Sequence, residues 1–459
     1  MNSVWQQFTL SHLSLSRWRG ASYLYRLVGL LHSWRQGSWL MQWAEAIGAM
    51  LISLVFILGP FVSTALIGVV LMAGGVYWAL LTVSDYRQLG MTPIHLLVGL
   101  YWGIATVATA FSPVRQAAFS GWIKLTLYLL LFALSAVILR QPKLRSRIIT
   151  VYLLVALIVS VYGIRQQFFG VTNLATWNDP NSALAQDGRI YSYLGNPNLL
   201  AGYLLPAVAF AAAAIIIWQG WLPKLLAMVM FSLNSACLYF TDSRGGWLAM
   251  VILLTVVSLS GYYWWRKYLS PFWRVWLLPI VFGFCTALAL IAITVVEPLR
   301  LRIMSIFAGR EDSSNNFRLN VWEAVDEMIS DRPILGIGPG NDAFNKVYPL
   351  YMRPNYSALS AYSIFLETIV EVGYVGFAAF MWLIIVTFNQ GFIQLARLKQ
   401  LGNLQGIWLI AACGAMAGML FQGLFDTVWY RPQMNTLWWF MVALIASYYP
   451  DKNQIQDYH

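Results

Sequence analysis

Apolar residues in this chain run in long unbroken blocks, and polar residues are confined to the gaps between them. A helix needs about 20 apolar residues to cross the hydrocarbon core of a bilayer. Blocks of that kind occupy 39–58, 61–83, 94–111, 121–139, 148–169, 198–218, 222–240, 246–264, 275–296, 361–388, 406–425 and 434–449. The first two are parted only by the tight turn Gly59-Pro60, and the last is short. The pattern predicts an all-α, polytopic transmembrane helix bundle of about 12 spans. It divides the chain into an N-terminal segment (1–38), spans 1–9 (39–296), one large loop (297–360), spans 10–12 (361–449) and a tail (450–459).

Composition agrees with this reading. Of 459 residues 59% are hydrophobic and only 10% charged, too little polar surface to cover a water-soluble globule. The net charge of +11 is read as an orientation signal rather than a nucleic-acid footprint. With the N-terminus inside and the spans alternating, sixteen basic residues fall on the inner side. Six fall on the outer side once the long loop is set apart. The clusters Arg140–Arg147 and Arg266–Arg274 carry most of this bias. Both termini are therefore expected in the cytoplasm, in a multi-pass protein of the cell inner (plasma) membrane with its large loop in the periplasm. Arg17, Arg19, Arg26 and Arg35 break up the N-terminus and exclude a cleavable signal. Leu24, Leu27, Leu31 and Trp34 recur among them at helical spacing, predicting a basic amphipathic helix on the lipid surface. Cys237, Cys285 and Cys413 lie in apolar blocks and are expected as buried free thiols.

Two outer segments exceed simple turns. Residues 170–197 form a polar loop. In 297–360, Phe317, Val321, Val325, Met328 and Ile329 follow helical spacing, with Arg318, Glu323 and Glu327 on another face. Ser314 or Asn315 is the expected cap, Pro333 follows the end, and the helix is expected to lie on the outer membrane surface. Gly336-Ile-Gly-Pro-Gly340 has a phosphate-loop composition but no preceding strand, so it is read as a turn leading back to the membrane. Gly414-Ala-Met-Ala-Gly418 predicts close helix packing.

Ionisable groups within spans are expensive and mark functional sites. Here they gather toward the outer ends: Lys124, Arg165 with Gln166 and Gln167, Asp242 and Arg244, Glu367 and Glu371 four residues apart, and Asp426 and Arg431. Arginine presents a planar fork matched to phosphate or carboxylate-like anions. An outward-open polar cavity holding an anion is the expectation. The four histidines, His12, His32, His95 and His459, all fall on the inner side, and no metal-ligand spacing occurs, so neither metal nor cofactor is expected.

Several motifs resemble the O-antigen ligase and polymerase superfamily. They are Arg189-Ile-Tyr-Ser-Tyr-Leu-Gly195-Asn196-Pro197-Asn198, Ser243-Arg244-Gly245-Gly246, Arg318 to Trp322, Arg332-Pro333-Ile-Leu-Gly336-Ile-Gly338, and Leu366-Glu367 to Gly373. The resemblance spans roughly residues 150–380. It implies glycan transfer from a polyprenyl diphosphate carrier at the outer membrane face, with Arg189, Arg244 and Arg318 facing an anionic site. Arg165 joins them as an anion-binding candidate, and Asp242, Glu371, Asn196 and Asn198 as supporting polar groups. The ligases carry a histidine before span 10 as the base for the acceptor hydroxyl, where this chain has Ala361-Tyr362-Ser363. Tyrosine, with a pKa of about 10, is a poor base at neutral pH. Tyr362 and Glu367 are the catalytic candidates that remain. The Ala-Tyr-Ser variant and the basic, Trp-rich N-terminus are most similar to a cyanobacterial branch named for inorganic carbon transport, which implies bicarbonate as the anion. Three expectations stand: a component of bicarbonate accumulation, a ligase acting on a lipid-diphosphate-linked glycan, and a non-catalytic relative of such ligases. Membrane lipids are the expected surroundings in each case, nucleic acid is not an expected partner, and no protein partner is indicated.

Overall fold

The computed structural model of the chain describes residues 3–11, 27–84, 91–171, 189–426 and 428–449. All regular structure among them is helical. The α-helices are α1 (Ser3–Phe8), α2 (His32–Gly37), α3 (Trp39–Gln42), α4 (Ala44–Leu58), α5 (Thr64–Ser84), α6 (Pro93–Ala110), α7 (Arg115–Ile138), α8 (Pro142–Phe169) and α9 (Pro197–Ile217). They continue as α10 (Trp221–Phe240), α11 (Arg244–Trp265), α12 (Pro271–Val295), α13 (Glu297–Phe307), α14 (Ser313–Asp331), α15 (Asn341–Val347), α16 (Ile364–Gln400), α17 (Gly406–Gln422) and α18 (Pro432–Ser447). Each predicted apolar block falls mainly on one of them, except 39–58, which is divided between α3 and α4 by a break at Trp43. Nine, α5–α12 and α16, are long and apolar enough to cross a membrane, and α4 and α17 are shorter apolar helices.

Local chemistry sets the helix starts. Proline opens α6, α8, α9, α12 and α18, where its missing N–H costs nothing. Asn196 caps α9 by accepting from the amides of Asn198 and Leu199 at 2.8 and 3.2 Å. At the centre of the bundle α9 and α18 are almost wholly buried. Helix α11 crosses α17 closely: a side chain at Gly414 would strike Val257, and one at Gly418 would crowd the Ala249 carbonyl. Helix α12 lies at the periphery with no buried side chain. That location corrects one cysteine expectation. Cys237 and Cys413 are buried, but Cys285 is exposed, on the outward side of a peripheral helix that buries no residue fully.

The long segment between α12 and α16 builds a second core. Val321, Val325, Met328 and Ile329 of α14 pack with Ile337, Phe344, Tyr348 and Val370. The apolar face of α14 is thus covered by protein, not laid on a membrane surface as its periodicity suggested. Its cap is also different: Asp312, rather than Ser314 or Asn315, accepts from the Asn315 amide at 2.9 Å.

The glycine-rich loop 336–340 does more than turn the chain. It wedges between α7 and α16. The amides of Ile337 and Gly338 donate to the carbonyls of Val370 and Glu371 at 2.8 and 2.9 Å, and the Tyr374 amide donates to the Pro333 carbonyl at 2.8 Å. These bonds replace helical ones at a break in α16, where Gly373 has φ 68°. A Cβ on Gly373 would run into the Ile334 carbonyl, and one on Gly121 of α7 into that of Pro339. Only glycine permits so close a backbone approach.

At the N-terminus, Arg17, Arg19, Leu24 and Arg26 of the expected amphipathic helix lie outside the described residues. Residues 28–31 form turns, and α2 begins only at His32. His12, His459, the whole 450–459 tail and residues 172–188 of the polar loop also lie outside them.

Candidate functional site

Four arginines converge at the bundle end where α10 turns into α11. The turn is tight. Asp242 adopts φ 54°, and Ser243 accepts from the Gly246 amide at 3.2 Å to start α11. Asp242 and Arg244 thereby reach the same cavity, of about 370 Å³, which is lined also by α13 and the start of α14. Arg189, Arg244, Arg302 and Arg318 line it, facing Asp242, Asp312 and Asp426. Four guanidinium groups against three carboxylates leave one formal positive charge.

Each arginine is held differently. Arg189 donates from Nε to the Thr241 carbonyl at 3.1 Å and from Nη2 to Asn198 Oδ1 at 2.8 Å. Burial, with Arg302 alongside, lowers its pKa to about 10, against the pull of Asp242 and Asp426. Arg244 makes an ion pair with Asp312 at 2.9 Å, and its Nη1 donates to the carbonyl and hydroxyl of Ser305 at 3.0 and 2.9 Å. Arg302 is paired with Asp242 at 3.1 Å and donates to that residue's carbonyl at 2.8 Å. Arg318 donates to Ser314 Oγ of its own helix at 2.8 Å, while its buried Nε has no hydrogen-bond partner among the described residues. Burial holds its pKa below the usual arginine value. Asp312 is pushed up by burial, but hydrogen bonds from Arg244 and the Asn315 amide bring its carboxyl below the ordinary range.

The Gln422 amide donates to the Asn198 carbonyl at 2.8 Å, and its buried Oε1 has no protein partner among the described residues. Arg318 Nε and Gln422 Oε1 are thus buried polar atoms of cavity-lining residues without a hydrogen-bond partner among the described residues. Helix α13 covers the site as a lid, with Arg302 and Ser305 turned inward and Leu301, Met304 and Phe307 exposed.

Of the residues expected from the sequence, Arg189, Arg244, Arg318, Asp242 and Asn198 meet here. Asn196 is nearby as the α9 cap. Arg165 does not join them. It is exposed on α8, with its guanidinium 5.8 Å from the Phe169 ring, because α8 turns Gly163, Ser160 and Val159 inward instead. Its neighbour Gln166 faces inward and accepts from the amides of Tyr191 and Ser192 at 3.1 and 2.7 Å. Arg302 was missed. Its only sequence signal is a basic residue two places from Arg300 in a short loop helix, which says nothing about direction.

Glu367 and Glu371 do share one face, but they line a second cavity of about 250 Å³. They are not in the arginine cavity. Lys124 lies well inside α7, which starts at Arg115, and pairs with Asp342 of α15 at 2.8 Å. Between the two cavities runs the segment before α16. There Tyr362 adopts φ 50° and stands edge-on to Phe317 at 5.5 Å. Burial and the neighbouring Asp426 push its pKa up to about 12, so its hydroxyl keeps its proton near neutral pH. Of the three carboxylates that line the arginine cavity, Asp426, 8% exposed, is the one whose charge acts on both Arg189 and Arg318.

Residues 227–381 match the family model described as O-antigen ligase. The match covers about a third of the chain and includes Arg244, Arg302, Arg318, Tyr362, Glu367 and Glu371. Arg189, Asn198, Gln422 and Asp426 lie outside it. No curated protein matches the chain. The family match supports the ligase side of the resemblance drawn from the motifs, and gives none to the inorganic carbon branch or to bicarbonate. Taken with the apolar helices, it describes an O-antigen ligase-like multi-pass membrane protein.

Proposed function

We propose that the arginine cavity binds the diphosphate of a polyprenyl-linked glycan, as a site of O-antigen ligase-like glycosyl transfer at the outer face of the cell membrane. The observation that carries this is the convergence of four arginines under the α13 lid with one positive charge in excess. The cavity is walled largely by the region that matches the ligase family. Two arginines are already engaged by carboxylates and serve to shape the site. Arg318, whose printed hydrogen bonds go only to Ser314 of its own helix, is left to offer its guanidinium to phosphate oxygens. The outward orientation rests on the bias of basic residues toward the opposite bundle end. A base is needed to take the acceptor's proton. Tyr362 keeps its own proton, and Asp426 is the carboxylate in position.

Binding is tested by titrating the protein in lipid nanodiscs with a polyprenyl diphosphate and with the same polyprenol lacking phosphate. Saturable binding of the diphosphate alone is expected. Equal binding of both lipids would remove the proposal. In cells, deletion of the gene should change the lipid-linked or surface glycan profile.

A further inference from the structure

Helices α11 and α12 are tied together at both ends but not between them. At one end the short turn 266–270 joins them, and the Tyr262 hydroxyl of α11 donates to the Arg274 carbonyl of α12. At the other end α13, which continues from α12, is held to the start of α11. The Arg302–Asp242 pair at 3.1 Å and the bonds from Arg244 to Ser305 hold it there. Between these ties the two helices do not pack on each other. Among the described residues none of α12 or α13 enters either hydrophobic core. The three helices therefore frame a window in the side of the bundle. Val251 and Leu259 on α11 and Phe284 and Leu288 on α12 are exposed, and such apolar surface needs hydrocarbon to cover it.

The joined end of the window is basic. Arg266 and Lys267 in the turn and Arg274 on α12 are exposed, and Lys399 at the end of α16 reaches across to them. Lys399 Nζ donates to the Tyr263 carbonyl at 2.6 Å and stands 3.8 Å from the centre of that residue's ring. Lys267 Nζ stands 4.7 Å from the ring centre of Tyr268. Arg274 donates to the carbonyls of Leu269 and Lys267 at 2.8 and 3.2 Å. Carbonyls and rings orient these cations without neutralising them, and none of the four makes an ion pair among the described residues. Arg266 and Lys267 lie near enough for their charges to act on Lys399, so the cluster repels itself until an anion joins it. Tyr268 and Trp273 are exposed beside it, and rings of these types sit at the level of lipid headgroups.

This is the bundle end that the bias of basic residues assigns to the cytoplasm. A cluster of cations at a cytoplasmic helix turn selects anionic over zwitterionic headgroups. We infer that the window holds an anionic phospholipid of the inner leaflet, its phosphate on Arg266, Lys267, Arg274 and Lys399 and its acyl chains between the inner halves of α11 and α12. A lipid seated there braces α12, and through it α13. The inference makes no use of the diphosphate reading of the arginine cavity.

The test uses the full chain in phosphatidylcholine nanodiscs containing a trace of phosphatidylglycerol with a diazirine on one acyl chain. A phosphatidylcholine bearing the same diazirine is the control. After irradiation the labelled peptides are mapped by mass spectrometry. Phosphatidylglycerol is expected to label residues 244–295 several-fold above the control, and excess unlabelled phosphatidylglycerol to compete. Arg266→Gln combined with Lys267→Gln removes two exposed charges and should lower that labelling roughly 10- to 25-fold. Lys399→Gln alone should lower it roughly 3- to 5-fold. Thermal unfolding identifies the variants that remain folded. Equal labelling by the two lipids, labelling spread evenly around the bundle, or folded variants labelled like the wild type would each mean annular lipid only and overturn the inference. Displacement of the label by a polyprenyl diphosphate but not by excess phosphatidylglycerol would overturn it too, and would assign the window to the polyprenyl chain.

Discussion

Arg318 is the most informative position in the arginine cavity because it contributes least to holding the fold together. Its hydrogen bonds go to Ser314, one turn back on the same helix, and its Nε has no partner among the described residues. Arg244, by contrast, joins α11 to Ser305 and Asp312, with side chains of Arg244 and Asp312 only 12% and 18% exposed. Removing Arg244 would strand a partly buried carboxylate and cost about 2–3 kcal/mol of stability, after discounting the fully buried value for exposure. A binding defect there would be confounded by a loosened lid. Replacing Arg318 by Ala removes a charge-assisted contact to an ionised ligand, worth about 1.5–3 kcal/mol. That corresponds to a loss of about 10- to 150-fold in affinity. Arg318→Lys keeps the charge without the fork and should fall between. The assay is equilibrium titration of a polyprenyl diphosphate into the nanodisc-held protein, with thermal unfolding as the check on folding. Affinity changed less than about twofold in a stably folded Arg318→Ala protein would show that this guanidinium does not meet the ligand, and the proposed binding mode would fail.

Other outcomes follow from the same geometry. Tyr362→Phe should leave the pH profile of glycan transfer unchanged, because a hydroxyl with a pKa of about 12 supplies no base, while Asp426→Asn should abolish transfer; surface-glycan profiling in a complemented deletion strain reads both. Gly373→Ala combines a left-handed φ of 68° with collision against the Ile334 carbonyl, and should destabilise by at least about 1–2 kcal/mol, measured as a lower unfolding temperature. The Asp312 carboxyl has a folded pKa below its unfolded value, so the stability it adds is present above an unfolded pKa of about 3.9 and is lost as pH falls through the folded one. Hydrogen exchange in residues 297–312 should rise on acidification below about pH 4, and Asp312→Asn should exchange fast at every pH.

Much of this molecule is legible in one dimension. Burial in lipid demands apolar blocks of a set length, so the positions of the helices could be read directly, and Gly414 and Gly418 announced a close crossing. Arginines clustered near span ends pointed to an anion, and Arg189, Arg244 and Arg318 do come together. What the sequence did not disclose is direction. A periodic stripe on α14 is the same whether it meets lipid or protein, and the partners that cover it, Phe344, Tyr348 and Val370, come from elsewhere in the chain. Arg165 and Arg302 look alike as letters, yet one faces outward and the other into the cavity, because helix rotation is decided by packing across the bundle. Glu367 and Glu371 were rightly placed on one face, but the segment ahead of α16 and the turn after α17 assign that face to a second chamber. Such partitions depend on contacts between residues far apart in the chain, and only the assembled fold brings those residues together.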